Sequence, residues 1–225
     1  MKVYENKEYM EDVEYIAALE LPWEKLQNKS ILISGATGLV GSCFVDVIMK
    51  RNQDGMNCKV YALGRSEEKA VKRFAYCVHS DLYEFIPYDI SKPLIRDDIG
   101  TVAYVLHLAS NTHPRQYSLD PIGTITTNIF GTYNMLEFAW KHNATRCVFT
   151  SSNEIYGENR GDAEMFDEYY CGYIDSNTMR AGYPESKRCS EALCQAYIKQ
   201  KNMDIVIPRL TRSYGPTMLM TDTKA

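Results

Sequence analysis

An apolar run, Ile31-Leu32-Ile33, passes directly into a glycine loop, Ser34-Gly35-Ala36-Thr37-Gly38-Leu39-Val40-Gly41. That spacing, GxxGxxG, fits a turn from a buried strand into a helix. The first glycine permits the tight turn, the second lets the backbone approach a phosphate, and the third lets the helix pack closely on the sheet. Amides at the start of the helix have no intrahelical partner and lie at the positive end of its dipole, which suits a dinucleotide pyrophosphate. Gly35, Thr37, Gly38, Leu39, Val40 and Gly41 form the candidate cradle. The bland alternative is a glycine-rich turn with no ligand.

The rest of the chain repeats the alternation. Residues 30–34, 59–63, 86–88, 102–108, 146–151 and 204–210 read as strands, and 38–51, 67–78, 121–142 and 183–201 as helices. In the first helix Leu39, Val40, Phe44, Val47 and Ile48 are expected inward. Asp120 is placed to cap the long helix, with Pro121 in its first turn. Strands that are continuous apolar runs imply a parallel sheet covered on both faces. The expected fold is α/β, a doubly wound parallel sheet of the Rossmann type over residues 29–216. Residues 1–28 read as a helical leader, with Val13, Ile16, Ala17 and Leu19 on one stripe and Pro22 ending it. Residues 157–183 form a long irregular stretch rich in acids and tyrosines. A flap beside a substrate and a solvated loop are both open readings.

Far downstream stands Tyr183-Pro184-Glu185-Ser186-Lys187. Tyr183 and Lys187 are i and i+4 and share a helix face. A phenol is a poor base at neutral pH, and an adjacent ammonium is expected to favour the phenolate. Ser152 and Glu154 follow a strand at its C-terminal end, where ligands sit in such sheets. Ser152 can position a substrate hydroxyl for Tyr183, and Glu154 can act as acid or base or simply hold a turn. The second strand ends at Arg65, which can meet a 2′-phosphate, yet Glu67 and Glu68 oppose that charge. These residues leave NAD and NADP both open. Asp89, beside Ile90, can contact adenine or serve as a plain turn residue.

Bulk properties narrow the function classes. With 225 residues the chain can bury one substantial domain. Its net charge of −4 gives no reason to expect nucleic acid or an anionic membrane as partner. No apolar run approaches the ~18 residues of a membrane span, and the N-terminus lacks a signal-peptide pattern. The seven cysteines form no CxxC pair, and the four histidines lack metal-ligand spacing. The expectation is a reduced, cytoplasmic protein with no metal.

These motifs resemble the extended short-chain dehydrogenases/reductases, the NAD-dependent epimerase/dehydratase group. The resemblance runs from about Lys29 to Pro216. It takes in the glycine loop, Tyr88-Asp89-Ile90, His107-Leu108-Ala109-Ser110, Asn128-Ile129-Phe130-Gly131-Thr132, Ser152 to Gly157, Tyr183 with Lys187, and Arg209 to Pro216. It implies a Ser152–Tyr183–Lys187 catalytic triad, Glu154 as a further catalytic group, and cofactor contacts from Leu108, Ala109, Ser110, Asn128, Tyr183 and Lys187. Within the group, Arg180 to Arg188 with Glu191 looks most like the UDP-glucuronate decarboxylases. The implied activity is nucleotide-sugar modification through a transient 4-keto sugar with recycled NAD. The 4,6-dehydratases and 4-epimerases are the alternatives; Asn153, where the dTDP-glucose dehydratases have an aspartic acid, disfavours that subtype.

The resemblance also implies a homodimer through the helices at 121–142 and 183–201. Family members continue into a small substrate domain, and residues 217–225 read as only its beginning. The corresponding expectation is a truncated cofactor module with weakened or absent turnover. Two other classes stay open: a non-catalytic dinucleotide-binding protein, and, from Arg65 alone, an NADP-dependent reductase of small carbonyls.

Overall fold

The computed structural model describes residues 3–111 and 119–218. In chain order the elements are α1 (Lys7–Ala18), β1 (Ser30–Ser34), α2 (Leu39–Gln53), β2 (Lys59–Gly64), α3 (Glu67–Arg73), β3 (Tyr83–Pro87), β4 (Tyr104–His107), α4 (Pro121–Lys141), β5 (Arg146–Phe149), β6 (Ser151–Ser152), α5 (Gly182–Lys201), β7 (Ile205–Val206) and β8 (Arg209–Leu210). Six strands pair in the order β3-β2-β1-β4-β5-β7, all parallel. This is the doubly wound order, with its switch point between β1 and β4. Beyond β5 and β7 the chain forms a second short parallel pair, Ser151 opposite Arg209 and Ser152 opposite Leu210.

The two-residue period of the strands divides the core. Leu32, Leu63, Val105 and Cys147 pack with Met135, Leu136 and Phe138 of α4 and Cys194 and Tyr197 of α5. Their neighbours Ile31, Ile33, Val60, Ala62 and Leu106 pack with Val45 and Ile48 of α2 and Ala70 of α3. Alternate side chains thus serve opposite faces, which is why each strand reads as an unbroken apolar run. Asp120 caps α4 through its side chain, which accepts from the Gly123 amide at 2.9 Å.

Several local expectations are corrected. Phe44 is 46% exposed rather than inward. Helix α2 is buried against the sheet through Val45, Ile48 and Met49 and against α1 through Val47, and Phe44 falls beyond the cover of either. Helix α3 ends at Arg73, not 78, because Phe74 and Cys77 turn into the core. The strand expected at 86–88 begins at Tyr83. The final strand is split into β7 and β8 at Pro208, which has no amide to give; its carbonyl accepts from Ser151 instead.

The leader is a 3₁₀ turn, α1 and a second 3₁₀ turn at Trp23–Lys25. Tyr9, Val13 and Ala17 of α1 are buried, whereas Leu19 is exposed. A buried polar cluster joins this helix to α2 and to the end of α3. Asp46 of α2 accepts from the Tyr9 hydroxyl, from Arg73 and, at 2.7 Å, from the Tyr76 hydroxyl. All seven cysteines are free thiols. Among the described residues no helix is long and apolar enough to cross a membrane. The segment expected to begin a substrate domain lies, from residue 219 on, outside the described residues.

Candidate active site

The switch point is built by close backbone approach. Gly35 sits at φ +71°, and a Cβ there would lie 2.9 Å from the Ala109 amide nitrogen. A Cβ on Gly41 would fall on the Gly35 carbonyl oxygen and 2.9 Å from the Ala36 Cα. So the third glycine lets α2 close on its own loop. Its first-turn amides, Leu39, Val40 and Gly41, precede the first helical bond, Ser42 N to Gly38 O. A glycine-lined cradle ending in helix amides without intrahelical partners fits a dinucleotide pyrophosphate. Thr37 lies beside Gly64 at the end of β2, and Leu39 beside Gly215.

Tyr183, Ser152 and Lys187 meet at the same edge of the sheet. The buried Tyr183 side chain lies against those of Ser152 and Ser110, both of which favour its ionised form. Lys187 is fully buried; its ammonium donates to the Thr150 carbonyl at 2.8 Å and lies 4.9 Å from the Phe149 ring centre and 5.9 Å from that of Tyr183. Burial pushes its pKa down to about 8. Tyr183 is raised above its ordinary value, first by burial; Ser152, Ser110 and Arg180 pull it down while Glu154 pushes it up. The ammonium sits under the ring and faces Thr150 instead of the hydroxyl.

Glu154 is the second residue of the 3₁₀ turn Asn153–Tyr156, and its amide donates to the Ser152 hydroxyl at 3.2 Å. Its carboxylate is half-buried and pairs with Arg180 at 3.0 Å. The 157–181 segment is irregular, as its sequence indicates, but it is tied down. Gly157 at φ +69° opens it, Glu158 bridges Tyr173, Arg188 donates to the Ile155 and Gly172 carbonyls, and Arg209 donates to that of Glu168. Arg209 also pairs with Glu191 at 2.8 Å. Arg180, Arg188 and Arg209 enter the sequence patterns only as members of the family motifs; the carboxylates and carbonyls they bind lie 3 to 41 positions away, and spacing alone does not pair them.

The remaining candidates divide. Arg65 is exposed at the end of β2. Asp89 uses one oxygen to accept from both the amide and the hydroxyl of Ser91, at 3.0 and 2.8 Å, which holds its carboxyl below the usual range. That is the turn role, with one oxygen left over. Ile90 is buried against Gly131, and its carbonyl accepts from Asn134. Asn128 of α4 accepts from the Ser110 hydroxyl at 2.7 Å and donates to the Ser186 hydroxyl at 2.8 Å, so it links β4 to α5. Leu108 and Ala109 give their amides to the Ser34 hydroxyl oxygen, both at 3.2 Å. No cluster of three His, Cys, Asp or Glu side chains among the described residues is arranged to hold a metal.

A doubly wound sheet with a glycine cradle at its switch point and Ser, Tyr and Lys gathered beside it defines a protein of the short-chain dehydrogenase/reductase type. The sequence profile of the NAD dependent epimerase/dehydratase family matches residues 31–224, and the chain belongs to that family. It is 32% identical over 195 residues to UDP-glucuronic acid decarboxylase 1 of Xenopus tropicalis, covering 87% of this chain and 44% of that protein. It is 33% identical to UDP-glucuronic acid decarboxylase 3 of Arabidopsis thaliana, covering 87% and 54%. The chain thus spans about half the length of the curated relatives it matches. Among solved structures, a UDP-N-acetylglucosamine 4-epimerase from Methanobrevibacter ruminantium superposes with TM-score 0.73 at 18% identity, covering 88% of this chain and 60% of that one. A UDP-glucuronic acid 4-epimerase from Bacillus cereus, solved with NAD, gives 0.66 at 23%, covering 84% and 58%. At these identities the structures establish the shared fold.

Proposed function

We propose that the chain holds NAD in the Gly35–Gly41 cradle and supplies Ser152, Tyr183 and Lys187 to a nucleotide-sugar-modifying enzyme that works through a transient 4-keto sugar, most like a UDP-glucuronate decarboxylase. The observation that carries this reading is the Tyr183 side chain held between Ser152 and Ser110 at the same sheet edge as the glycine cradle. NAD, when bound, supplies reversible hydride acceptance and is regenerated within the cycle. Ser152 orients the sugar 4-hydroxyl, and Tyr183 takes its proton. Lys187 holds positive charge beneath the site. The ketone at C4 makes a C6 carboxylate part of a β-keto acid, whose C5–C6 bond breaks with loss of carbon dioxide; C5 then takes up a proton, and hydride return to C4 would close the cycle.

We assign the delivery of that C5 proton to Glu154, whose half-buried carboxylate stands two residues after Ser152. On a hexose the same group would take the C5 proton as water leaves across C5–C6, which is the dehydratase alternative. Asn153 cannot deliver a proton to the leaving hydroxyl, and this supports decarboxylation over the dTDP-glucose type of dehydration. The similarity to decarboxylases at 32–33% identity supports the same choice. We further propose a homodimer through α4 and α5, supported by the exposed Ile122, Phe130, Tyr133 and Trp140 on α4; sedimentation velocity giving a monomer would remove it.

The test is incubation with NAD and UDP-glucuronate, followed by mass spectrometry of the sugar nucleotide. Loss of carbon dioxide is expected. Conversion of a UDP- or dTDP-hexose with UDP-glucuronate untouched would move the assignment to dehydratase or epimerase. Binding of NAD without conversion of any of them would favour a non-catalytic dinucleotide-binding module.

A further inference from the structure

His107 ends β4, is fully buried and takes no part in the chemistry proposed above. Its Nδ1 lies 2.8 Å from the Ser34 hydroxyl oxygen at the end of β1. That oxygen already accepts the amides of Leu108 and Ala109. The Leu108 amide is shared with the Ser34 carbonyl, also at 3.2 Å, so the hydroxyl takes the Ala109 amide whole and the Leu108 amide in part, and the acceptor within reach of its own proton is the ring nitrogen. Nδ1 must be an acceptor, so the neutral ring carries its proton on Nε2. That nitrogen faces the Thr132 hydroxyl of α4 at 3.4 Å. Thr132 in turn donates to the Asn128 carbonyl at 2.7 Å, and the Asn128 side chain holds Ser110, which touches Tyr183. Burial holds the imidazole neutral, with its pKa pushed down to about 3.

We infer that His107, as the neutral Nε2–H tautomer, is a positioning residue that fixes the Ser34 hydroxyl and through it the Leu108–Ala109 backbone against the glycine cradle. The inference rests on the dinucleotide reading of that cradle. Its consequence is specific. An acceptor at the Nδ1 position is required, whereas a donor at the Nε2 position is dispensable by comparison. An asparagine can place an amide oxygen at the former; a glutamine reaches only the latter, and a phenylalanine supplies neither.

Two measurements on the full chain test this. Long-range proton–nitrogen NMR of the unmutated protein should show Nδ1 unprotonated and the ring untitrated between about pH 5 and 8. NAD titrations should show His107→Asn within about threefold of the unmutated chain and His107→Gln and His107→Phe weakened about tenfold. A ring that titrates in that range, or carries its proton on Nδ1, would overturn the inference even if no variant folds. Equal loss of NAD affinity in all three variants would also overturn it, since a merely space-filling role predicts no rescue by asparagine. Failure of the unmutated chain to bind NAD would remove the cofactor reading first, and this inference with it.

Discussion

The Lys187 ammonium donates to the Thr150 carbonyl, 2.8 Å away, and stands beneath the Tyr183 ring. A fully buried cation with one carbonyl partner costs stability. Its pKa is about 8 in the fold against an ordinary 10.5. A depressed lysine is stabilising only when neutral, so its penalty is complete below about 8 and relieved as pH rises towards 10.5. Lys187→Met should therefore match or exceed the parent in urea unfolding at neutral pH, by up to about 2 kcal/mol, while losing NAD affinity. A variant clearly less stable than the parent would show that the ammonium is structural.

His107 gives a second pH signature. Its folded pKa of about 3 lies below the unfolded 6.5. Its contribution to stability is complete above 6.5 and is lost as pH falls towards 3. Between pH 6.5 and 5 the loss from this group should be about 2 kcal/mol. Urea unfolding of the parent and of His107→Asn across that range should differ in slope by this amount. Parallel curves would place the acid sensitivity elsewhere.

The glycine cradle makes a steric prediction. A methyl at Gly41 meets the Gly35 carbonyl and the Ala36 Cα, both backbone. Gly41→Ala should weaken NAD binding by at least about tenfold, since the loop cannot keep its shape. Gly100→Ala, where a Cβ meets nothing within 4 Å, should change stability by less than about 0.5 kcal/mol and leave NAD binding alone. Calorimetric titration of both variants decides the point.

Asp46 is the hub that fastens α1, through Tyr9, to α2 and to Arg73 of α3. Asp46→Asn leaves the buried Arg73 without its counter-charge and should cost about 3 kcal/mol. Adding Arg73→Met should recover much of that loss. Limited proteolysis should then cut near residues 1–28 first in the single variant. An unchanged digestion pattern would mean that Val13 and Ala17 hold α1 without the polar cluster.

The fold was legible wherever a local pattern coincided with a tertiary demand. The run at 30–34 and the capped start of α4 at Asp120 and Pro121 read directly, because burial on both faces and capping leave marks in neighbouring residues. Phe44 did not, since its exposure depends on which faces of α2 the sheet and α1 cover. The end of α3 was missed because Phe74 and Cys77 are apolar in either conformation. At the site, Ser152, Tyr183 and Lys187 are brought together as their spacing and motif suggested. The direction of Lys187 towards Thr150, the Glu154–Arg180 pair and the Ser34–His107 contact join residues 26 to 73 positions apart. No periodicity within one element encodes such pairs.

The most direct test is thermal unfolding of the purified chain with NAD and, separately, NADP. A ligand at ~100 times its dissociation constant adds about 2.7 kcal/mol to the native state. A clear rise in midpoint with NAD, and a smaller one with NADP because Glu67 and Glu68 flank Arg65, is predicted. No rise with either would contradict the assignment of the Gly35–Gly41 loop as a dinucleotide site.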